Sequence, residues 1–322
     1  MPMLSRFLWV ALLFAANAPA TEPDRRVALT FDDLPAAGLA DMPRDAVQTP
    51  KATAELNRDL LAALTQHKAP AIGFVVEANV EAVGIDAGHD ILRAWTRGDF
   101  SLGNHTRSHR DSNALRLEEI DAEIAGGSLS AGLLMREAGK PLRYLRFPLN
   151  HTGDTAERRA AIDALVVKHG LVAAASTIDT SDYLFERAYA RARAANDRDT
   201  AVKVRMAYLA HSAVQIDYYA ALNAKVLGYE PPAIMLLHAN RLNADTLPQL
   251  LEIFERKGYR YVTLAEAQAD PVYQKPATYA SKFGPMWGYR WARERGVKVD
   301  GSLEQEPPAW IAEYADKGTL PK

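Results

Sequence analysis

The chain contains no cysteine. That absence excludes disulfide cross-links, thiolate metal ligands and a cysteine nucleophile, and it suits an exported protein whose core is large enough to be stable without staples. Neither sign of charge predominates, with 38 Lys and Arg against 40 Asp and Glu. A nucleic-acid partner or an anionic lipid surface needs a basic footprint that this balance does not supply. Beyond the first twenty residues no run is apolar enough for a membrane-spanning helix, which takes about twenty apolar residues.

What is present begins with an export signal, expected over residues 1–20. Arg6 gives a positive start, Phe7 to Ala16 form an apolar stretch, and Ala18-Pro19-Ala20 offers a small-residue cleavage site before Thr21. The stretch is too short to span a bilayer, so removal rather than anchoring is expected, and with it a periplasmic or secreted location.

From Val27 to about Val262, short β-prone runs alternate with amphipathic helical patterns. The strand candidates are Val27 to Phe31, Ala71 to Val76, Phe100 to Leu102, Leu142 to Phe147, Leu171 to Ala175, Ile234 to Leu237 and Tyr259 to Val262. Leu56, Leu60, Leu61 and Leu64 recur at helical spacing, as do Leu247, Leu250, Leu251 and Phe254. Asp154 with Glu157 reads as a capping pair for a helix that stops at Gly170. The alternation predicts a distorted (β/α) barrel of about seven parallel strands over residues 21–270, a size that such barrels reach as one domain. Two regions depart from the repeat. An Ala-rich helical insertion occupies about 183–227, before the sixth strand, and reads as a solvated helical hairpin on the barrel flank, with a lid or an oligomer contact as the other readings. A Pro- and aromatic-rich irregular tail runs over 271–322, and its Tyr273, Tyr279, Trp287, Trp291 and Trp310 are expected to pack on the barrel rather than to stack on sugars.

Polar residues collect at one end of the predicted strands. Asp32 and Asp33 follow the first, His105 the third, Arg146 closes the fourth, Asp179 and Asp182 come after the fifth, and His238 follows the sixth. In parallel α/β folds the C-terminal edge is where loops converge and ligands bind. His105 and His109 are four apart, the spacing that stacks two imidazoles on one face of a helical turn and lets both reach one ion. A third, carboxylate ligand leaves open positions for water. Thr106 occupies the position where a zincin helix carries its Glu base, so the base must come from elsewhere. The adjacent Asp32 and Asp33 can divide the work, one on the metal and one on its water.

In order along the chain stand Thr30-Phe31-Asp32-Asp33, His105-Thr106-Arg107-Ser108-His109, Arg146-Phe147-Pro148, the Asp182 segment and Leu236-Leu237-His238. Together they resemble the polysaccharide deacetylase family with the NodB homology domain, carbohydrate esterase family four, over about residues 26–265. The resemblance implies that Asp33, His105 and His109 hold one divalent ion, zinc first among the choices, and that Asp32 is the general base oriented by Arg146. It implies that the oxyanion of an attacked acetyl group meets the metal and the backbone N–H of Leu149. His238 is then the general acid, tethered by Asp182, with Asp179 as the alternative tether. The expected substrate is an acetylated glycan, peptidoglycan-like or chitin-like, cleaved to a free amine and acetate.

The chain also departs from the family pattern. Leu34-Pro35 follows the paired Asp where Gly is usual, Leu149-Asn150-His151 replaces an aromatic and Gly, and Asp182-Tyr183 replaces Asp-Trp. Leu149, His151 and Tyr183 are therefore the expected substrate wall. Two other functions share these residues: an O-acetyl esterase on xylan-type glycans or small-amide hydrolase with the same site, and a glycan-binding protein that has lost catalysis.

Overall fold

A computed structural model of the protein describes residues 24–39, 50–275 and 277–318. The proposed signal segment lies outside them. Among the described residues the sheet has eight strands: β1 (Arg26–Leu34), β2 (Ala71–Val75), β3 (Phe100–Asn104), β4 (Tyr144–Leu145), β5 (Val172–Ala173), β6 (Ile178–Asp179), β7 (Ala233–His238) and β8 (Arg260–Tyr261). Every pairing is parallel, in the order β5-β4-β3-β2-β1-β7-β6, with β8 on the start of β1. Val27 pairs with Ala233 and with Tyr261, so β8 takes the edge of β1 that β2 occupies further along. The sheet curls without closing between β5 and β6, giving the distorted parallel barrel expected from the alternation.

All seven strand candidates form, but β4, β5 and β8 shrink to two residues each and β6 was not anticipated. A two-residue strand has no periodicity to read; β6 exists because Ile178 and Asp179 pair with Met235 and Leu236 of β7. The central strands β1, β2 and β7 are almost wholly buried, as a parallel sheet covered on its faces requires.

The flanking helices are α1 (Pro50–Gln66), α2 (Glu77–Val83), α3 (Ile85–Arg93), α4 (Leu117–Gly127), α5 (Leu129–Glu137), α6 (Ala156–Lys168), α7 (Asp182–Ala194), α8 (Arg198–Leu227), α9 (Arg241–Arg256), α10 (Leu264–Gln268), α11 (Pro271–Gln274), α12 (Trp287–Glu294) and α13 (Ala309–Lys317). Leu56, Leu60, Leu61 and Leu64 of α1 and Leu247, Leu250, Leu251 and Phe254 of α9 are buried, so both apolar stripes face the core they were expected to face. The cap of α6 differs from the expectation. Thr155 is the N-cap and accepts from Arg158 N, because α6 starts at Ala156, one residue too late for Asp154 to cap it.

The insertion is the pair α7 and α8, and the tail is not irregular, since it contains α11, α12 and α13. Phe185 and Tyr189 of α7, Val204 and Tyr208 of α8, and Ile311 and Tyr314 of α13 form their own buried cluster. The amphipathic face of α7 is thus covered by the end of the chain, not left to solvent. Trp287 and Trp291 are buried in the main core, as packing predicted. Among the described residues no helix is long and apolar enough to cross a membrane.

Candidate active site

Both Asp residues lie within the last three positions of β1. Successive strand side chains point to opposite faces, which would send Asp32 and Asp33 apart. Here the register with β2 slips, since Phe31 pairs with Gly73 but Leu34 with Val75, placing an extra residue on β1. Asp33 takes a left-handed backbone, φ 67°. Such a bulge re-aims a side chain, and both carboxylates turn to the same imidazole: His105 Nε2 lies 3.8 Å from Asp32 Oδ2 and 3.4 Å from Asp33 Oδ1. The Leu34-Pro35 bond that follows is cis.

The two histidines do not share a helix. Residues 105–109 form a loop after β3 in which Thr106 and His109 are left-handed, φ 68° and 56°. Helical spacing misread this segment because tertiary hydrogen bonds, not a helical turn, shape it. Asn104 Oδ1 accepts from Thr106 N at 2.7 Å, and Glu123 of α4 accepts from Ser108 N at 2.8 Å and from Ser108 Oγ at 2.5 Å. Gly127 lets α4 approach so closely that a Cβ there would meet the Thr106 backbone. The outcome still brings both imidazoles to one point, with ring centroids 5.1 Å apart.

Asp33 Oδ1 sits 3.4 Å from His105 Nε2 and 3.2 Å from His109 Nε2. Ligand atoms at bond lengths of about 2.1 Å around a tetrahedral ion lie about 3.4 Å from one another. Asp33 Oδ1 is buried and has no hydrogen-bond partner, the condition of a donor atom kept for an ion. His105 Nδ1 donates to the Arg146 carbonyl at 2.7 Å, which leaves Nε2 bare, as ligation requires. Burial opposes ionisation of Asp33, but the close approach of His105 and the charge of the nearby imidazoles outweigh that and hold its carboxyl well below the usual range. These three side chains fit a divalent cation.

Asp32 is tied on its other side. Its Oδ1 accepts from Arg146 Nη1 at 2.9 Å, and Arg146 also donates to Thr30 Oγ1 at 2.6 Å and to the Ala175 carbonyl at 2.7 Å, with its guanidinium 4.6 Å above the Phe74 ring. The pair is buried, so solvent screens it little.

Asp182, not Asp179, holds His238. Asp182 Oδ1 accepts from His238 Nδ1 at 2.6 Å, and Oδ2 accepts from His238 N at 2.8 Å, from Asn240 Nδ2 at 3.3 Å and from Asn243 Nδ2. Burial alone would lower the His238 pKa, but the charge and hydrogen bond of Asp182, with Asp33 and Asp32 beyond, push it up to about 10. Asp179 instead accepts from Ser181 N at 2.8 Å, and burial pushes its carboxyl up to about 6.

Asp32, Asp33, His105, His109, Asp179 and His238 line one cleft of about 1230 Å³, which also takes in Leu149, His151, Tyr183, Glu186, Arg241 and Met286. Leu149 and Tyr183 are exposed, and the Tyr183 ring stands edge-on to His238 with centroids 6.1 Å apart. Residues 20–165 match the sequence profile of the polysaccharide deacetylase family. That segment is similar to the family that its motifs resemble.

Its solved relatives by fold include the polysaccharide deacetylase Bc1974 from Bacillus cereus, at 21% identity, covering 74% of this chain and 91% of that one, TM-score 0.50. A mutant of BA3943, described as a family-four carbohydrate esterase pseudoenzyme, aligns at 15% identity, covering 76% of this chain and 68% of that one, TM-score 0.50. At these identities the likeness concerns the fold. No curated protein matches the sequence.

Several residues of the candidate site were not found by motif. Asn243 orders Asp182 from one turn inside α9 and is itself held by Tyr208 of the insertion, OH to Oδ1 at 2.8 Å. Asp111 pairs with His151 Nδ1 at 2.8 Å, two positions after His109. Glu186 of α7 lines the cleft, and burial pushes its carboxyl up to about 7. Only the placement of Asn243, five residues after His238 on the next helix, was available as a sequence signal.

Proposed function

We propose that the protein is an exported, metal-dependent hydrolase that removes acetyl groups from N-acetylated sugars or polysaccharides and releases acetate. The carrying observation is the ligand-like spacing of Asp33, His105 and His109, with the Asp32–Arg146 and His238–Asp182 pairs beside it. A bound zinc-type ion would supply a Lewis acid that makes its water easier to deprotonate near neutral pH.

The chain's own residues do the rest. Asp32, held in place by Arg146, takes a proton from the attacking water. Leu149 offers its backbone N–H to the oxyanion that forms on the acetyl carbonyl. His238, protonated at neutral pH under the influence of Asp182, gives a proton to the departing sugar nitrogen. An amine leaves poorly unless protonated, so a strongly tethered acid favours amide over ester substrates. The tail aromatics Trp287 and Trp291 are buried, which counts against a glycan-binding protein that uses them as platforms.

The deciding experiment is acetate release from a panel of N-acetylated and O-acetylated glycans, with zinc and with chelator. The reading predicts zinc-dependent release from the N-acetylated glycans. It fails if the zinc-loaded protein releases acetate from none of them.

A further inference from the structure

Leu149 and Asn150 both hold a left-handed backbone, φ 57° and 54°. Such a backbone is strained for a non-glycine residue and persists only where surrounding structure enforces it. Part of the enforcement is local: Asn150 N donates to the Phe147 carbonyl and His151 N to the Pro148 carbonyl, each at 3.1 Å.

The remainder comes from the C-terminal segment. Arg290 of α12 donates through Nη2 to the Asn150 carbonyl at 2.7 Å, through Nη1 to Thr152 Oγ1 at 2.8 Å and through Nε to the Pro285 carbonyl at 2.9 Å. Its guanidinium lies 4.4 Å above the Trp287 ring. Gly284 meets the same turn from outside, so close that any Cβ there would collide with the Leu149 carbonyl oxygen.

Arg290 is only 1% exposed, and among the described residues no carboxylate is within ion-pair distance. A buried charge without a direct ion pair is expensive, and Glu294 and Asp163 act on this one only from a distance. Burial, and Arg159 beside it, push its pKa down to about 10. A neutral donor could satisfy one carbonyl; the forked cation fixes Asn150, Thr152 and Pro285 together, and so clamps the turn from the tail.

We propose that Arg290, with Gly284, is a positioning residue that sets the direction of the Leu149 backbone N–H into the cleft, making the C-terminal segment part of the catalytic apparatus. This rests on reading that N–H as the oxyanion donor. Both residues lie far beyond the segment that matches the family profile, residues 20–165.

The test uses the zinc-loaded full chain, with acetate release from an N-acetylated chitooligosaccharide and hydrogen exchange of the peptide spanning residues 147–153. Arg290→Ala is expected to lower kcat roughly tenfold to hundredfold and to leave KM within about threefold, because a misdirected donor weakens the transition state more than the ground state. Zinc stoichiometry should stay unchanged, exchange should quicken in 147–153 but not in β1 or β7, and Arg290→Lys should recover part of kcat. Unchanged kcat, or unchanged exchange in that peptide, overturns the proposal. Should Arg290→Ala fail to fold, Gly284→Ala carries the test, since it keeps the guanidinium and pushes on the Leu149 carbonyl. A full kcat in that variant overturns the proposal equally. If the wild-type chain releases no acetate, the reaction assignment falls, whereas the exchange measurement still decides whether Arg290 holds the turn.

Discussion

Asp32 and His238 are register partners on neighbouring parallel strands, β1 and β7. Paired residues on parallel strands project from the same face of the sheet, so the candidate base and acid emerge at one level. The Ala239 N–H donates to the Asp32 carbonyl at 2.9 Å and continues the ladder past both side chains. The sheet itself therefore fixes the separation between the groups that would take and give the proton, and the bulged end of β1 with the loop after β3 brings the candidate metal ligands.

Removing a ligand should remove the metal. His105→Ala is expected to weaken zinc binding at least about a hundredfold and to abolish acetate release, while the fold survives on its separate core. Metal content after dialysis and a far-UV circular dichroism spectrum check both parts.

Asp32→Asn should separate metal binding from turnover. Zinc stays at stoichiometry because Asp33, His105 and His109 are untouched, whereas kcat falls by roughly 10²–10⁴ with the loss of a general base. Full turnover in this variant would show that another group takes the proton.

The pH profile should report Asp182. His238 must be protonated to act as an acid, so activity is lost as pH rises through its pKa. Asp182 raises that pKa, so Asp182→Asn is expected to move the alkaline limb of the kcat profile to lower pH. An alkaline limb that stays in place would assign it to a different group.

His238→Ala should discriminate between bonds. An ester's alkoxide departs with less help than an amine, so the variant is expected to lose more rate on N-acetyl than on O-acetyl substrates of the same sugar. Equal losses on both would remove His238 from the role of proton donor to the leaving group.

Arg146 carries stability as well as orientation. Arg146→Met leaves Asp32 buried without its cation and is expected to cost about 3–5 kcal/mol, measured by urea unfolding.

The sequence by itself determined the parallel βα architecture, since buried apolar runs alternate with helical stripes such as Leu56, Leu60 and Leu64. It also determined which residue types meet at the strand ends, because the chain direction of parallel strands puts Asp32, His105, Arg146 and His238 on the same edge. Tertiary structure alone decided the rest. Local spacing reads His105 and His109 as a helical pair; hydrogen bonds from the loop backbone to Asn104 and Glu123 make a left-handed loop that brings them together another way. Nothing in Asp32-Asp33 announces a bulge, which requires β2 as the reference strand. Asp182 is the expected tether and Asp179 the alternative, and the register of β6 with β7 and the start of α7 place the Asp182 carboxylate against His238. Arg290 reaches the Asn150 carbonyl across 140 residues of chain. Periodicity and motif are local properties, and contacts over such separations exist only once the barrel has curled and the tail has packed against it.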